Sequence, residues 1–332
     1  VRHFVTGATG FVGSHVTEAL LARGDDVVAL VRSLAKASRV FTAAQPRIVQ
    51  GDLDDPRALR RAMEGAEAVF HVAGLTSASR ASQFFSINRD GTRRVLEAAR
   101  DAAPDLQRVV YVSSVAASGP SRRGAPADES VVPHPVSDYG ASKLAGEREV
   151  HQAGIPWTIV RPPAVYGPRD AELKRVFSFG KHGIVPVFGD GRQELSLIHV
   201  ADLVSALLAA LDRGRVEATY FASHPEVLTS EEFAVAITRA VQEALTGHAA
   251  DPRLVLRIPN AVARVALTIN GAAFRAVGRS TVLSGDKIPE LLAAAWTCSS
   301  AALERDTGWR AQIPAAEGLP QTAIWYRDAG WL

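Results

Sequence analysis

Hydrophobic and polar positions along the first half of the chain alternate between two periods. A short apolar run, Val1 to Val5, leads through glycines into an apolar-periodic segment that reaches about Arg23, so a strand, a tight turn and a helix are expected in succession. The pattern then repeats: a strand from Asp26 to Val31, a mixed segment from Leu34 to Thr42, a strand from Arg47 to Gln50, a helix from Pro56 to Met63, a strand from Glu67 to Val72, a helix from Phe84 to Ala102 and a strand from Gln107 to Ser113. Within the last strand, Val109-Val110-Tyr111-Val112 shows no alternation, as a strand buried on both faces requires. Strands alternating with helices predict an α/β fold with a doubly wound parallel sheet, whose ligand crevice lies outside the carboxyl ends of the strands. Gly7, Arg32, Asp52, Ala73 and the pair Ser113-Ser114 each fall just after a predicted strand, so they share one rim.

The second half is less regular. Residues 116–135 are rich in Pro, Gly, Ser and Arg and carry no apolar period; a loop of that length is commonly functional or disordered. A helix is expected from Asp138 to Gln152, capped by Ser137 or Asp138, and a strand from Pro156 to Arg161. Beyond Pro162 come turns at Gly167-Pro168 and Gly189-Asp190-Gly191, a strand around Ser196 to His199 and a helix from Ala201 to Leu211. Further helices are expected at Thr229 to Leu245, Pro259 to Val277 and Gly285 to Ala294, with Leu254 to Ile258 as a strand. The expected organisation is a dinucleotide-sized domain over residues 1–164 and a smaller α/β carboxy-terminal substrate lobe over 165–332, with segments of the two free to interleave.

Composition narrows the function classes. With 332 residues, 47% of them hydrophobic and 22% charged, the chain can bury a large core. Its 37 basic and 35 acidic residues are interspersed, so no nucleic-acid partner is expected. The single cysteine, Cys298, excludes an intramolecular disulfide, fits a reducing compartment and reads as a small buried hydrophobe. No spacing of His, Asp or Glu suggests a metal. The apolar stretch from Ala261 to Val277 is broken by Arg264, Asn270, Gly271 and Arg275, which makes it an amphipathic helix and not a membrane span. With the first strand starting at once, no signal peptide, no membrane partner and a cytoplasmic location are expected.

Two clusters carry chemistry. In the first, Gly7 permits a sharp turn, Gly10 lets a pyrophosphate approach the backbone and Gly13 lets the helix pack close to the strand, while the helix start offers free amides and a positive dipole end. In the second, Tyr139 and Lys143 stand four residues apart on one helical face, so an ammonium lies near a phenol and favours its ionised form. A hydroxyl from Ser113-Ser114 on the same rim completes a group able to bind and protonate a substrate oxygen.

On these residues the chain resembles the short-chain dehydrogenases and reductases in their extended form. Thr6-Gly7-x-x-Gly10-x-x-Gly13 matches that family's cofactor turn, Tyr139-x-x-x-Lys143 its catalytic pair and Ser114 its catalytic serine. His71-Val72-Ala73-Gly74, Asn88-x-x-Gly91-Thr92, Arg161-Pro162-x-x-Val165-Tyr166-Gly167 and Ile198-His199-Val200-x-Asp202-Leu203 extend the likeness over essentially the whole chain. The resemblance implies a Rossmann-type fold and an NAD(P)-dependent oxidoreductase with Ser114, Tyr139 and Lys143 as catalytic residues. It implies a pyrophosphate on Gly7, Thr9, Gly10, Phe11, Val12 and Gly13, an adenine beside Asp52 and Leu53, and a cofactor site completed by Ala73, Gly74, Asn88, Ser113, Tyr139, Lys143, Pro162 and Val165. Arg32 stands where an acidic residue would favour NAD, so NADP is preferred over NAD.

The branch is read from absences. The Asp-Glu pair that dehydratases carry after the serine is replaced by Val115 and Ala116, and the diphosphate-binding Arg of nucleotide-sugar epimerases by Leu195, with Arg169, Arg175 or Arg192 as stand-ins. The likeness is therefore greater to hydroxysteroid dehydrogenases and dihydroflavonol-type reductases; a nucleotide-sugar epimerase with tightly bound NAD and a non-catalytic NAD(P)-binding sensor are the alternatives. His71 and His199 are expected to be packed residues, and Asp202 to cap or orient its helix. A small-molecule substrate is implied, as is a homodimer through the helices 84–102 and 138–152.

Overall fold

The computed structural model describes residues 1–276 and 287–332. Its first half follows the expected alternation: β1 (Arg2–Thr6), α1 (Phe11–Ala22), β2 (Asp26–Val31), α2 (Leu34–Val40), β3 (Arg47–Gln50), α3 (Pro56–Met63) and β4 (Ala68–His71). Next come α4 (Ala81–Phe85), a π-helical turn over Ser86–Gly91, and α5 (Thr92–Ala102), so the expected single helix starts earlier and carries a π turn at its middle. β5 (Arg108–Val112), α6 (Val115–Ser118), α7 (Asp138–His151) and β6 (Trp157–Arg161) complete this part. Ser137 caps α7, its hydroxyl accepting from the Gly140 amide.

Seven strands form one parallel sheet in the order β10-β6-β5-β4-β1-β2-β3, where β10 is Ala218–Phe221. The order reverses between β1 and β4, which opens a crevice at their carboxyl ends. Side chains alternate across the sheet: Val5, Val27 and Ala29 meet Val16 and Leu20 of α1 on one face, while Phe4, Val28 and Val69 meet Leu59, Met63, Val95 and Val150 on the other. Burial on both faces explains the unbroken apolar runs. β10 was not expected; it comes from the segment assigned to the carboxy-terminal lobe, so the segments interleave.

The rest of the chain forms β7 (Ala164–Tyr166), α8 (Lys174–Gly180), β8 (Ile184–Phe188), β9 (Glu194–His199), α9 (Val200–Asp212), then β10, β11 (Val227–Thr229), α10 (Ser230–Thr246), β12 (Leu254–Ile258) and α11 (Asn260–Ala276). After them stand α12 (Ile288–Leu291), β13 (Ala295–Trp296), α13 (Ala301–Thr307) and α14 (Ala315–Asp328). Strand β9 pairs with β7, β11 and β13, whereas β8 and β12 form a separate parallel pair. Val277, the expected end of one helix, and Gly285 and Asp286, the expected start of the next, lie outside the described residues; the latter helix is seen only as the short α12. α9 covers the main sheet through Leu203, Val204 and Leu207. The expected loop 116–135 begins with α6 and is tied to the lobe by single bridges, Ser121 to Ala295 and Ala127 to Cys298. Cys298 is buried, and burial pushes its thiol up to about 12.

Candidate functional site

At the reversal of strand order the chain turns from β1 into α1 with Gly7 at φ +69°, where a Cβ would stand 2.7 Å from the Ala73 amide nitrogen. A Cβ on Gly13 would stand 2.1 Å from the Gly7 carbonyl oxygen, so only glycine lets α1 approach β1 this closely. Gly10 is exposed and is the N-cap of α1, with no side chain capping the helix. The first amides of a helix have no partner inside it. Glycine surface and amides thus form an anion cradle beside Thr9, Phe11 and Val12, and this fits a pyrophosphate. Thr6 stiffens the turn: its hydroxyl lies 2.7 Å from His71 Nδ1 and accepts from the Ala73 amide at 3.1 Å. His71 Nε2 lies 2.9 Å from the Thr92 hydroxyl, so His71 is a packed bridge, and burial holds it down at about 3. His199 caps α9 through Nδ1 and is also buried. Asp202 accepts the Gln312 and Ile313 amides at 3.0 and 2.9 Å, so it tethers the carboxy-terminal segment and leaves the capping of its own helix to His199.

The catalytic candidates meet at the carboxyl end of β5. Ser114 caps α6 by accepting the Ala116 amide at 3.1 Å, and its hydroxyl lies beside the phenol of the half-buried Tyr139 of α7, close enough to favour the ionised form. Burial pushes the Tyr139 phenol up; the neighbouring Ser114 hydroxyl pulls it down, and Glu172 and Glu290 push it up again. Lys143, one turn along α7, is 3% exposed. Its ammonium donates to the Val112 carbonyl at 2.7 Å and lies 4.3 Å from the Tyr111 ring centre. Burial brings Lys143 down to about 7, against the pull of Glu147. The expected lowering of Tyr139 by Lys143 is therefore not the balance observed: a cation whose charge is weakened by burial and directed at a carbonyl does not offset the phenol's own burial.

Another turn along α7 stands a residue the sequence reading missed. Glu147 is fully buried, receives Arg161 Nε and Nη2 at 2.8 and 2.6 Å, and accepts from the Ser113 hydroxyl at 2.5 Å. The Ser113 side chain thus turns away from the rim, because neighbouring side chains at a strand end point to opposite faces. Asn88 also faces inward: it accepts the Leu75 amide at 2.7 Å and donates to the Leu75 carbonyl and the Ser142 hydroxyl. Its carboxamide ties the π turn to α7 and to the segment after β4. Gly74 is exposed beside it, and a Cβ there would stand 3.6 Å from Lys143 Nζ. Pro162 accepts the Val115 amide through its carbonyl, while Val165 pairs in register with Ile198. Lys287, also missed, lies 4.0 Å from the Tyr139 ring centre and is ion-paired to Glu290, which Ser137 also contacts.

At the other end of the crevice, past β2 and β3, an open recess of about 470 Å³ is lined by Arg32, Gln50, Gly51, Asp52, Asp55 and Arg61. Asp55 accepts the Arg57 and Ala58 amides and Asp52 the Asp54 amide, so both carboxylates serve the local backbone. Leu53 is buried against Gly91. Of the stand-ins for an epimerase arginine, Arg169 is committed elsewhere: it binds both Glu18 oxygens at 2.9 Å and the Ser14 hydroxyl. Leu195 packs with Leu197, Leu228 and the residues of α10 and α14 and pairs with Leu228. Val115 and Ala116, where a dehydratase needs acid and base, are buried apolar residues of α6.

Residues 3–221 match the model of the NAD dependent epimerase/dehydratase family. The ceramide reductase of Caulobacter vibrioides is 34% identical over 329 residues, covering 99% of this chain and 95% of that protein. A 4-hydroxy-2-methyl-3-oxo-4-farnesyl-3,4-dihydroquinoline-1-oxide ketoreductase of Stigmatella aurantiaca is 37% identical over 229 residues, 67% of each chain. Among solved structures, DesIV of Streptomyces venezuelae, a dTDP-glucose 4,6-dehydratase with NAD bound, superposes with a TM-score of 0.79 at 26% identity, covering 100% of this chain and 98% of that one.

Proposed function

The chain belongs to the NAD dependent epimerase/dehydratase family and is a nicotinamide-dependent oxidoreductase of the extended short-chain type; from that premise we propose that it reduces a lipophilic ketone with NADPH. The reading rests on the Ser114 hydroxyl and the Tyr139 phenol meeting at the carboxyl end of β5, with Lys143 buried behind them. Ser114 Oγ and Tyr139 Oη hold the carbonyl oxygen of the substrate. Tyr139 passes its proton to that oxygen as charge develops there, and its raised pKa keeps it protonated at neutral pH, the form that reduction needs. When bound, the dinucleotide supplies the reducing equivalent as hydride. The amides at the start of α1 and Gly10 would hold its pyrophosphate, and Lys143 would hold its ribose. Glu147 and Arg161 fix the face of α7 that carries both Tyr139 and Lys143.

Arg32 and Arg61 favour NADPH because they are the two cations of the recess beyond β2 and can pair with a 2′-phosphate, while Asp52 and Asp55 are engaged with backbone amides. A lipophilic substrate is supported by two relatives named for a ceramide and for a farnesyl-bearing oxo compound, and by Leu195 at the position of a diphosphate-binding arginine. The test is initial-rate kinetics with NADPH and NADH against long-chain ketones, aldehydes and nucleotide sugars. Turnover of a nucleotide sugar without any ketone reduction refutes the substrate class; equal efficiency with both dinucleotides refutes the preference. A homodimer through α5 and α7 belongs to the same reading and is checked by sedimentation equilibrium.

A further inference from the structure

One surface of the carboxy-terminal part is apolar and, among the described residues, uncovered. In the β8–β12 pair, Leu254 stands beside Ile184 and Leu256 beside Pro186. Side chains alternate along a strand. Val185, Val187 and Val255 accordingly pack inward with Ala234, while Leu254 and Leu256 stay 51% and 47% exposed. The chain then turns at Pro259 into α11. That helix buries Ala263 and Leu267, yet Val262, Val265 and Ile269, spaced to share its opposite side, are 55, 60 and 64% exposed. An ordinary surface helix is polar on its outer face. The charge is one-sided too: among the described side chains from 252 to 270 stand Arg253, Arg257 and Arg264 and no Asp or Glu, the adjoining Asp251 being paired with Arg239. Arg253 and Arg264 are exposed, and only Arg257 has an acidic partner among those with described side chains, Glu231.

We propose that the β12–α11 surface docks on an anionic lipid bilayer. A helix with an outward apolar stripe and arginines but no acids lies in the headgroup region, its Val and Ile side chains against acyl chains and its arginines on lipid phosphates. No helix among the described residues is long and apolar enough to cross a membrane, so the contact is peripheral. This departs from the expectation of no membrane partner, which weighed only spanning segments. It does not depend on the substrate assigned above, because binding is read without turnover.

The test is co-sedimentation of the full chain with vesicles of phosphatidylcholine alone and of phosphatidylcholine mixed equally with phosphatidylglycerol. Binding to the mixed vesicles only, weakened by salt, is expected. The double substitutions Val265→Asp with Ile269→Asp, and Arg253→Glu with Arg264→Glu, should each lower partitioning about tenfold or more. Both should keep the wild-type melting temperature and NADPH binding, since all four side chains are exposed. No binding to the mixed vesicles, equal binding to both vesicle types, or variants that partition like the wild type overturn the proposal. So does concentration-dependent self-association abolished by Val265→Asp with Ile269→Asp, which would assign the face to a second copy of the chain.

Discussion

The two ends of the crevice are built by opposite rules. Around Tyr139 the polar groups are buried and engaged: Lys143 with a carbonyl, Glu147 with Arg161 and Ser113, Asn88 with Leu75 and Ser142. Around Arg32 the recess is open, and Arg32 and Arg61 are exposed. A buried, engaged group responds steeply to change, because removing one partner strands the other in a low-dielectric interior; an exposed cation responds gently, because water replaces what is lost. Chemistry therefore sits at the rigid end and cofactor choice at the permissive one.

The contrast can be broken from either side, starting with the largest effect. Tyr139→Phe should lower kcat about 10²- to 10⁴-fold with NADPH affinity retained, as removal of a proton donor does; a tenfold smaller loss in steady-state kinetics would take the tyrosine out of its role. Glu147→Ala leaves the Arg161 guanidinium buried without its carboxylate and should cost about 3–5 kcal/mol in urea denaturation. A loss typical of a surface ion pair would mean the end is less rigid than its hydrogen bonds imply.

The third prediction concerns acid. His71 has an ordinary value of 6.5 and is held at about 3 by burial, so on lowering the pH the unfolded chain takes up this proton first. Its contribution is complete above pH 6.5 and is lost as pH falls toward 3, by about 2 kcal/mol at pH 5. Asp170, raised to about 7 by burial, acts in the opposite sense over part of this range. The measurement is therefore the difference in pH slope between wild type and His71→Gln, which should show the shallower loss. The smallest effect belongs to the open end: Arg32→Ala should reduce kcat/KM for NADPH about tenfold and leave NADH nearly unchanged, a single exposed charge-assisted contact being worth about 1.4 kcal/mol. An unchanged ratio would end the assignment of the recess to a 2′-phosphate.

Much of the rigid end was legible because helical period and strand ends are local properties. The pair Ser113-Ser114, Tyr139 and Lys143 could be brought to one rim from strand ends and helical spacing, whereas the choice of Ser114 within the pair came from the family resemblance. Glu147 could not, although it continues the same four-residue step: a helical glutamate is ordinarily solvated, and its burial depends on Arg161 arriving from another strand. Arg61 was missed for the same reason, since its place beside Arg32 depends on how α3 packs. Strand β8 was hidden by Pro186, which argues against a central strand and is tolerated because, among the described residues, β8 has β12 as its single partner. Strand β10 was hidden because it lies outside the strand–helix alternation of the first half, and its place depends on the distant β6, which supplies its ladder.

The position of β10 in the chain also limits how this scaffold can be recombined. Exchanging everything after residue 165, where the sequence pattern changes, would carry away the outermost strand of the main sheet together with α9 and would leave the edge of β6 bare. A bare edge strand invites pairing between molecules. Chimeras meant to transplant substrate preference should therefore keep residues 200–221 with the host and take their crossovers on either side of that segment.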